Sequence, residues 1–83
     1  DDVAAQTRST LVNLQRVLEQ AGATLEDVVS VTVYLQQADD WGAMNEIYRE
    51  FFRGPHPSRT AVGADLRGIL VEISAVAYRP SGG

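Results

Sequence analysis

At 83 residues the chain can form one domain, and a domain of that size buries only about 60% of the surface its unfolded chain exposes, so partner subunits are expected. A formal net charge of −4, with the seven arginines scattered along the chain, leaves no basic face for phosphates and argues against a nucleic-acid reader. The lack of cysteine and lysine excludes disulfides, thiol catalysis, cysteine-based metal sites and a lysine Schiff base; with no apolar run of membrane-spanning length and no signal-peptide pattern, the expected setting is soluble and cytoplasmic, away from membranes.

The spacing of Leu11, Leu14, Val17, Leu18 and Ala21 predicts a helix from about Val3 to Ala21 with those residues on its buried stripe. Gly22 supplies the stop. Thr24 and Asp27 then have the spacing of a capping box at a short turn. The β-branched run Val28 to Leu35 follows as a strand, with Val29, Val31, Val33 and Leu35 on one face and Val28, Ser30, Thr32 and Tyr34 on the other. Asp39 and Asp40 suit the start of a second helix, whose buried side is traced by Trp41, Met44, Ile47, Tyr48, Phe51 and Phe52. Gly54 ends it and Pro55-His56-Pro57 forbids continuation. A strand begins near Arg59, and Gly63 and Gly68 flank a turn before the last strand. That strand, Ile69 to Tyr78, alternates cleanly: Ile69, Val71, Ile73, Ala75 and Ala77 on one face, Leu70, Glu72, Ser74, Val76 and Tyr78 on the other.

Helix, strand, helix, strand, strand gives an α+β layer in which two helices pack on one face of a mixed β-sheet. The far face, with Tyr34, Leu70, Val76 and Tyr78 beside polar groups, is too apolar to leave open and too polar for a dry core, which points to a subunit interface. Arg59 at a strand start offers a planar, permanently charged fork for a carboxylate, and Glu72 is the lone carboxylate of the last strand. If the two strands are neighbours, cation and carboxylate can line one pocket suited to a small anionic substrate that needs proton transfer; the alternative is an ordinary cross-strand ion pair.

Five segments in order, Ala21-Gly22-Ala23-Thr24-Leu25-Glu26-Asp27-Val28-Val29, Thr32-Val33-Tyr34-Leu35, Met44-Asn45-Glu46-Ile47-Tyr48-Arg49-Glu50-Phe51-Phe52, Pro57-Ser58-Arg59-Thr60-Ala61-Val62 and Val71-Glu72-Ile73-Ser74-Ala75-Val76-Ala77, resemble consecutive blocks of the RidA/YjgF family. The resemblance implies a chorismate-mutase-like fold assembled as a homotrimer, three sheets curling into a central barrel with helices outside and active sites in clefts between neighbours. Many members hydrolyse reactive enamines and imines derived from amino acids to 2-keto acids and ammonia, without a cofactor; others keep the fold without the activity. By the same resemblance Arg59 is the substrate-carboxylate anchor, Glu72 positions water or relays a proton, Thr60 and Ala61 frame the pocket with backbone groups, and Asn45 is a supporting contact. Some members place a cysteine where Ala61 stands. The chain opens on Asp1-Asp2 at what the family uses as its first helix, so residues 1–79 are expected to be the C-terminal portion of the family fold and 80–83 a frayed tail. The expected product is a fragment, with the N-terminal strands supplied by another chain in a heteromer, or else a homotrimer without them.

The expected function is a 2-iminobutanoate/2-iminopropanoate deaminase acting on a small imino or keto acid; the alternatives are a non-catalytic module that binds small metabolites or partner proteins, and a purely structural assembly piece. Other residues carry less. His56 is the only histidine and has no metal-ligand or carboxylate partner in motif spacing. Trp41 and the aromatic run of the second helix sit at core spacing, so packing explains them better than base stacking. Glu26-Asp27 and Asp39-Asp40 adjoin element starts, where negative charge favours a helix N-terminus, and no metal site is expected. Gly63 and Gly68 form no phosphate loop, since no helix follows them.

Overall fold

Asp2 opens the first helix by accepting a hydrogen bond from the Ala5 amide at 2.7 Å, a side-chain cap on one of the four amides that a helix start leaves unpaired. The computed structural model describes residues 2–53 and 58–78, and in it α1 runs Val3–Gln20. Its end is a Schellman motif: Gly22 takes φ +83°, the Gly22 amide donates to Glu19 and the Ala23 amide to Leu18. Thr24 and Asp27 then close the expected capping box around a short 3-10 turn, Leu25–Asp27.

The strand β1, Val28–Leu35, is the centre of a three-stranded sheet ordered β2-β1-β3. It pairs in parallel with β2, Ser58–Gly63, and antiparallel with β3, Val71–Ala77. Helix α2, Trp41–Phe51, lies between β1 and β2 in sequence and supplies the crossover that a parallel pair requires. Both helices cover one face, and the core between them and the sheet holds Leu11, Val31, Val33, Met44, Tyr48 and Val71. Each such fully buried apolar side chain contributes about 1.5–3 kcal/mol. The α+β arrangement expected from the sequence is the observed one.

Several faces differ in detail from the sequence pattern. On α1 the buried residues are Val3, Thr7 and Leu11, while Val17 is 61% exposed. Thr7 can enter the core because its hydroxyl donates to the Val3 carbonyl at 2.7 Å, leaving nothing unpaired. In β1 a register shift between Val28 and Ser30 bulges out Val29, so Val28 is buried and Val29 is exposed, reversing their expected faces. β3 begins at Val71: Ile69 lies outside it and is exposed, and Leu70 is partly buried against the core, its amide donating to the Gln6 side chain at 2.8 Å. The turn before it places Arg67 at φ 54° and Gly68 at φ 96°. Asp40 makes no side-chain cap on α2; with Asp39 it lies in a second 3-10 turn, Ala38–Asp40. The expected helix stop at Gly54, the segment Pro55-His56-Pro57 and the tail from residue 79 lie outside the described residues.

Candidate functional site

Residues opposed across neighbouring strands point to the same face of a sheet, so the pairing register decides which side chains can share a site. Arg59 is opposite Val31 and Ala61 is opposite Val33. Val31 and Val33 are buried under the helices; Arg59 and Ala61 therefore belong to the helix-covered face. Thr60 is opposite Thr32, and Glu72 is opposite Tyr34, which puts both on the reverse face. That reverse face is rich in hydroxyls: Ser58 and Ser30 form one row with Val76, Thr60, Thr32 and Ser74 the next, and Val62, Tyr34 and Glu72 a third.

Arg59 and Glu72 do not come together in one chain. β2 and β3 flank β1 on opposite sides, so their strands are two spacings apart, about 9.5 Å, and their side chains leave the sheet in opposite directions. The pocket imagined from neighbouring strands is corrected by this topology, and so is the simple cross-strand ion pair.

Arg59 is half-buried against α2 instead. Its Nη1 donates to Oδ1 of Asn45 at 2.7 Å, and its Cζ lies 4.7 Å from the centroid of the Trp41 ring and 4.5 Å from that of Tyr48. Residues 41, 45 and 48 recur at helical spacing, so one stripe of α2 presents a ring, a carboxamide and a second ring to the guanidinium. No carboxylate of the described residues forms an ion pair with Arg59, in contrast to Arg8, which meets Glu50 at 2.9 Å on the helix surface. A guanidinium carries five N–H donors, and one of these is engaged by Asn45.

Tyr48 is 2% exposed, stacks on Phe52 at 4.6 Å between centroids, and its hydroxyl finds no hydrogen-bond partner among the described residues. Burial pushes the pKa of that hydroxyl up, and the nearby Arg59 charge works in the opposite direction. Trp41, expected in the core, is 39% exposed and lies over Arg59 rather than among the buried residues. The sequence carried a signal for this stripe, an aromatic, an amide and an aromatic at positions 41, 45 and 48, but the same spacing equally describes a core face. Thr60 and Ala61 are exposed on β2, an edge strand of the three, so alternate backbone groups beside Arg59 face away from β1. Among the described residues no group of three His, Asp or Glu side chains could hold a metal ion, and no helix is long and apolar enough to cross a membrane. His56 lies outside the described residues. The arrangement as a whole offers a held, unneutralised cation for a small anion on one face and a lone carboxylate among hydroxyls on the other.

Residues 1–79 match the family model described as Endoribonuclease L-PSP. A RutC family protein of Pyrococcus horikoshii is 44% identical over 80 residues, which cover 94% of this chain and 64% of that protein. The crystal structure of RidA from an Antarctic Psychrobacter superposes with a TM-score of 0.87 at 32% identity, covering 92% of this chain and 63% of that one. That of Escherichia coli TdcF with bound serine gives a TM-score of 0.90 at 29% identity, covering 96% and 67%. The chain spans just under two thirds of the length of the Pyrococcus RutC family proteins that it matches.

Proposed function

The chain belongs to the RidA/YjgF family, described as Endoribonuclease L-PSP, and within it we propose that this protein hydrolyses 2-imino acids such as 2-iminopropanoate and 2-iminobutanoate, and the enamines that tautomerise to them, to 2-keto acids and ammonia in the cytoplasm. The observation that carries the reading is Arg59: half-buried, oriented by Asn45, and without a carboxylate of its own among the described residues. A cation so placed gains most from an anionic ligand, and its planar fork matches a carboxylate. TdcF, similar over nearly the whole of this chain, was solved with serine, an amino acid with such a carboxylate.

In the proposed reaction Arg59 holds the substrate carboxylate, Asn45 keeps the fork in place, and backbone groups of Thr60 and Ala61 frame the bound molecule. Water adds to the imine carbon; its proton passes to the nitrogen, the C–N bond breaks, and ammonia leaves as the carbonyl forms. Glu72 is the base that orients this water. Because Glu72 and Arg59 leave opposite faces of the sheet in one chain, the reading requires Glu72 from a neighbouring copy, in a trimer that sets the reverse face of one sheet beside the β2 edge of the next, where Arg59 lies. No metal or organic cofactor takes part, and the acidic chain is not read as a nuclease despite the family's description.

Ammonia release from imines generated by an amino-acid oxidase tests the reading. The assembled protein should accelerate it, and Arg59→Ala should reduce the rate by about 10²-fold, since two charge-assisted hydrogen bonds are lost. An unchanged rate would remove Arg59 from the site. The separation of Arg59 and Glu72 favours a second reading, a module that binds keto or amino acids without turning them over; carboxylate binding with no ammonia release at any subunit stoichiometry would select it.

A further inference from the structure

Trp41 and Tyr48 are seven residues apart on one helix, so their backbones are separated by about 10.5 Å along its axis and their rings must lean toward each other to share a partner. The Arg59 guanidinium carbon, 4.7 Å from one centroid and 4.5 Å from the other, is that shared partner and touches both rings, with the Asn45 carboxamide on the same stripe between them in sequence. We propose that Trp41 and Tyr48 are positioning residues: together with Asn45 they clamp the Arg59 guanidinium in one orientation and so raise its affinity for a carboxylate. The inference rests on the reading of Arg59 as the carboxylate anchor.

Trp41 shows that more than core packing is involved. It is 39% exposed, whereas Met44 and Tyr48 on the same helix are buried to 0% and 2% exposure. A large ring left this open contributes little to the core, and its contact with Arg59 is a cation–π pair. Tyr48 is the opposite case, fully packed, stacked on Phe52 and therefore a rigid floor. A ring packed on the central carbon consumes no N–H, and among the described residues the single side-chain hydrogen bond to Asn45 leaves the edge formed by Nε and the other terminal nitrogen available for a two-point contact. An arginine on an exposed strand edge would otherwise lose rotamer freedom on binding; a clamped one has lost it beforehand, which is how pre-organisation strengthens binding.

The test titrates pyruvate into the assembled protein by calorimetry and, without any ligand, reads the mobility of the Arg59 Nε–H by heteronuclear NMR. Trp41→Leu keeps apolar bulk but removes the π face, and Trp41→Phe restores a π face. Trp41→Leu should weaken pyruvate binding about five- to tenfold and mobilise the Nε–H, while Trp41→Phe should stay within about twofold of the parent. Both should melt close to the parent temperature, because Trp41 is not part of the core. Equal binding by Trp41→Leu and the parent, or equal losses in Trp41→Leu and Trp41→Phe, would overturn the clamp. So would a freely mobile Nε–H in the parent, a readout that remains if Trp41→Leu does not fold. Arg59→Ala separates the two claims: loss of binding there with no effect of Trp41→Leu refutes the clamp alone, whereas undiminished binding in Arg59→Ala, or no pyruvate binding by the parent, refutes the anchor and the clamp with it.

Discussion

The two faces of the sheet are built from the same strands and serve different ends. On the helix-covered face Val31, Val33 and Val71 are buried almost completely, and Arg59, the one charged strand residue on that face among the described residues, is held by an amide and two rings. On the reverse face hydroxyls, Glu72 and the exposed Val62 and Val76 lie open, and among the described residues no helix covers them. The first face stabilises the protomer. The second is available to something outside it, and a cation and a carboxylate expected to cooperate lie one on each.

An identical substitution on each face gives the largest contrast. Val33→Asp places an unpaired carboxylate at a position with 0% exposure, a cost of several kcal/mol against a total stability of about 5–10 kcal/mol for so small a domain; circular dichroism should show no cooperative unfolding transition. Val76→Asp, at a site 60% exposed, should leave the protomer folded and instead lower the mass seen by light scattering, because the charge would enter the interface proposed between copies. A cooperative Val33→Asp, or a Val76→Asp assembly of unchanged mass, would show that the faces are not divided in this way.

Arg59→Lys sharpens the helix-side half of the comparison. Lysine keeps the charge but loses the fork and the planar contact with the rings, so the affinity for pyruvate should fall by about tenfold or more while folding is preserved. Full affinity would mean that charge alone suffices and that the geometry around Arg59 is incidental.

The smallest effect concerns Tyr48, whose buried hydroxyl has no partner among the described residues. Tyr48→Phe keeps both ring contacts and removes that group, so thermal stability should be unchanged or rise by up to about 1 kcal/mol. Because burial raises the pKa of Tyr48 above its ordinary 10.0, the folded state resists ionisation there. Its contribution is complete below pH 10, where the unfolded chain is also protonated, and it is lost as the pH rises from there through the higher folded value. Tyr48→Phe should therefore lose less stability than the parent in alkaline denaturation above pH 10; an equal or greater loss would place the alkaline sensitivity elsewhere.

Much of the fold could be read from local signals because local chemistry decides it. The Gly22 stop, the Thr24–Asp27 capping box and the alternation of β3 all depend on residues within a few positions of one another. What escaped the sequence is non-local. The bulge at Val29 depends on how β1 meets β3, and a run of valines does not reveal where the extra residue falls. Thr7 is in the core because its hydroxyl bonds to its own helix, which hydropathy spacing does not record. The site suffered most: β2 reads Ser-Arg-Thr-Ala-Val-Gly, with no apolar alternation to say which face Arg59 takes, and nothing local says that β1 inserts between β2 and β3. Arg59 itself was legible as a fork near a strand start, whereas its aromatic clamp was indistinguishable from a buried helix stripe.

Subunit complementation tests the central claim most directly. Arg59→Ala and Glu72→Gln chains, each inactive alone, are mixed in equal amounts, allowed to exchange subunits as verified by native mass spectrometry, and assayed for ammonia release from 2-iminopropanoate. If each site takes Arg59 from one copy and Glu72 from the next, random mixing restores about a quarter of the parent activity, since one cleft in four then holds both native residues. Verified mixed assemblies with no recovered activity would contradict a site shared across the two faces of neighbouring sheets.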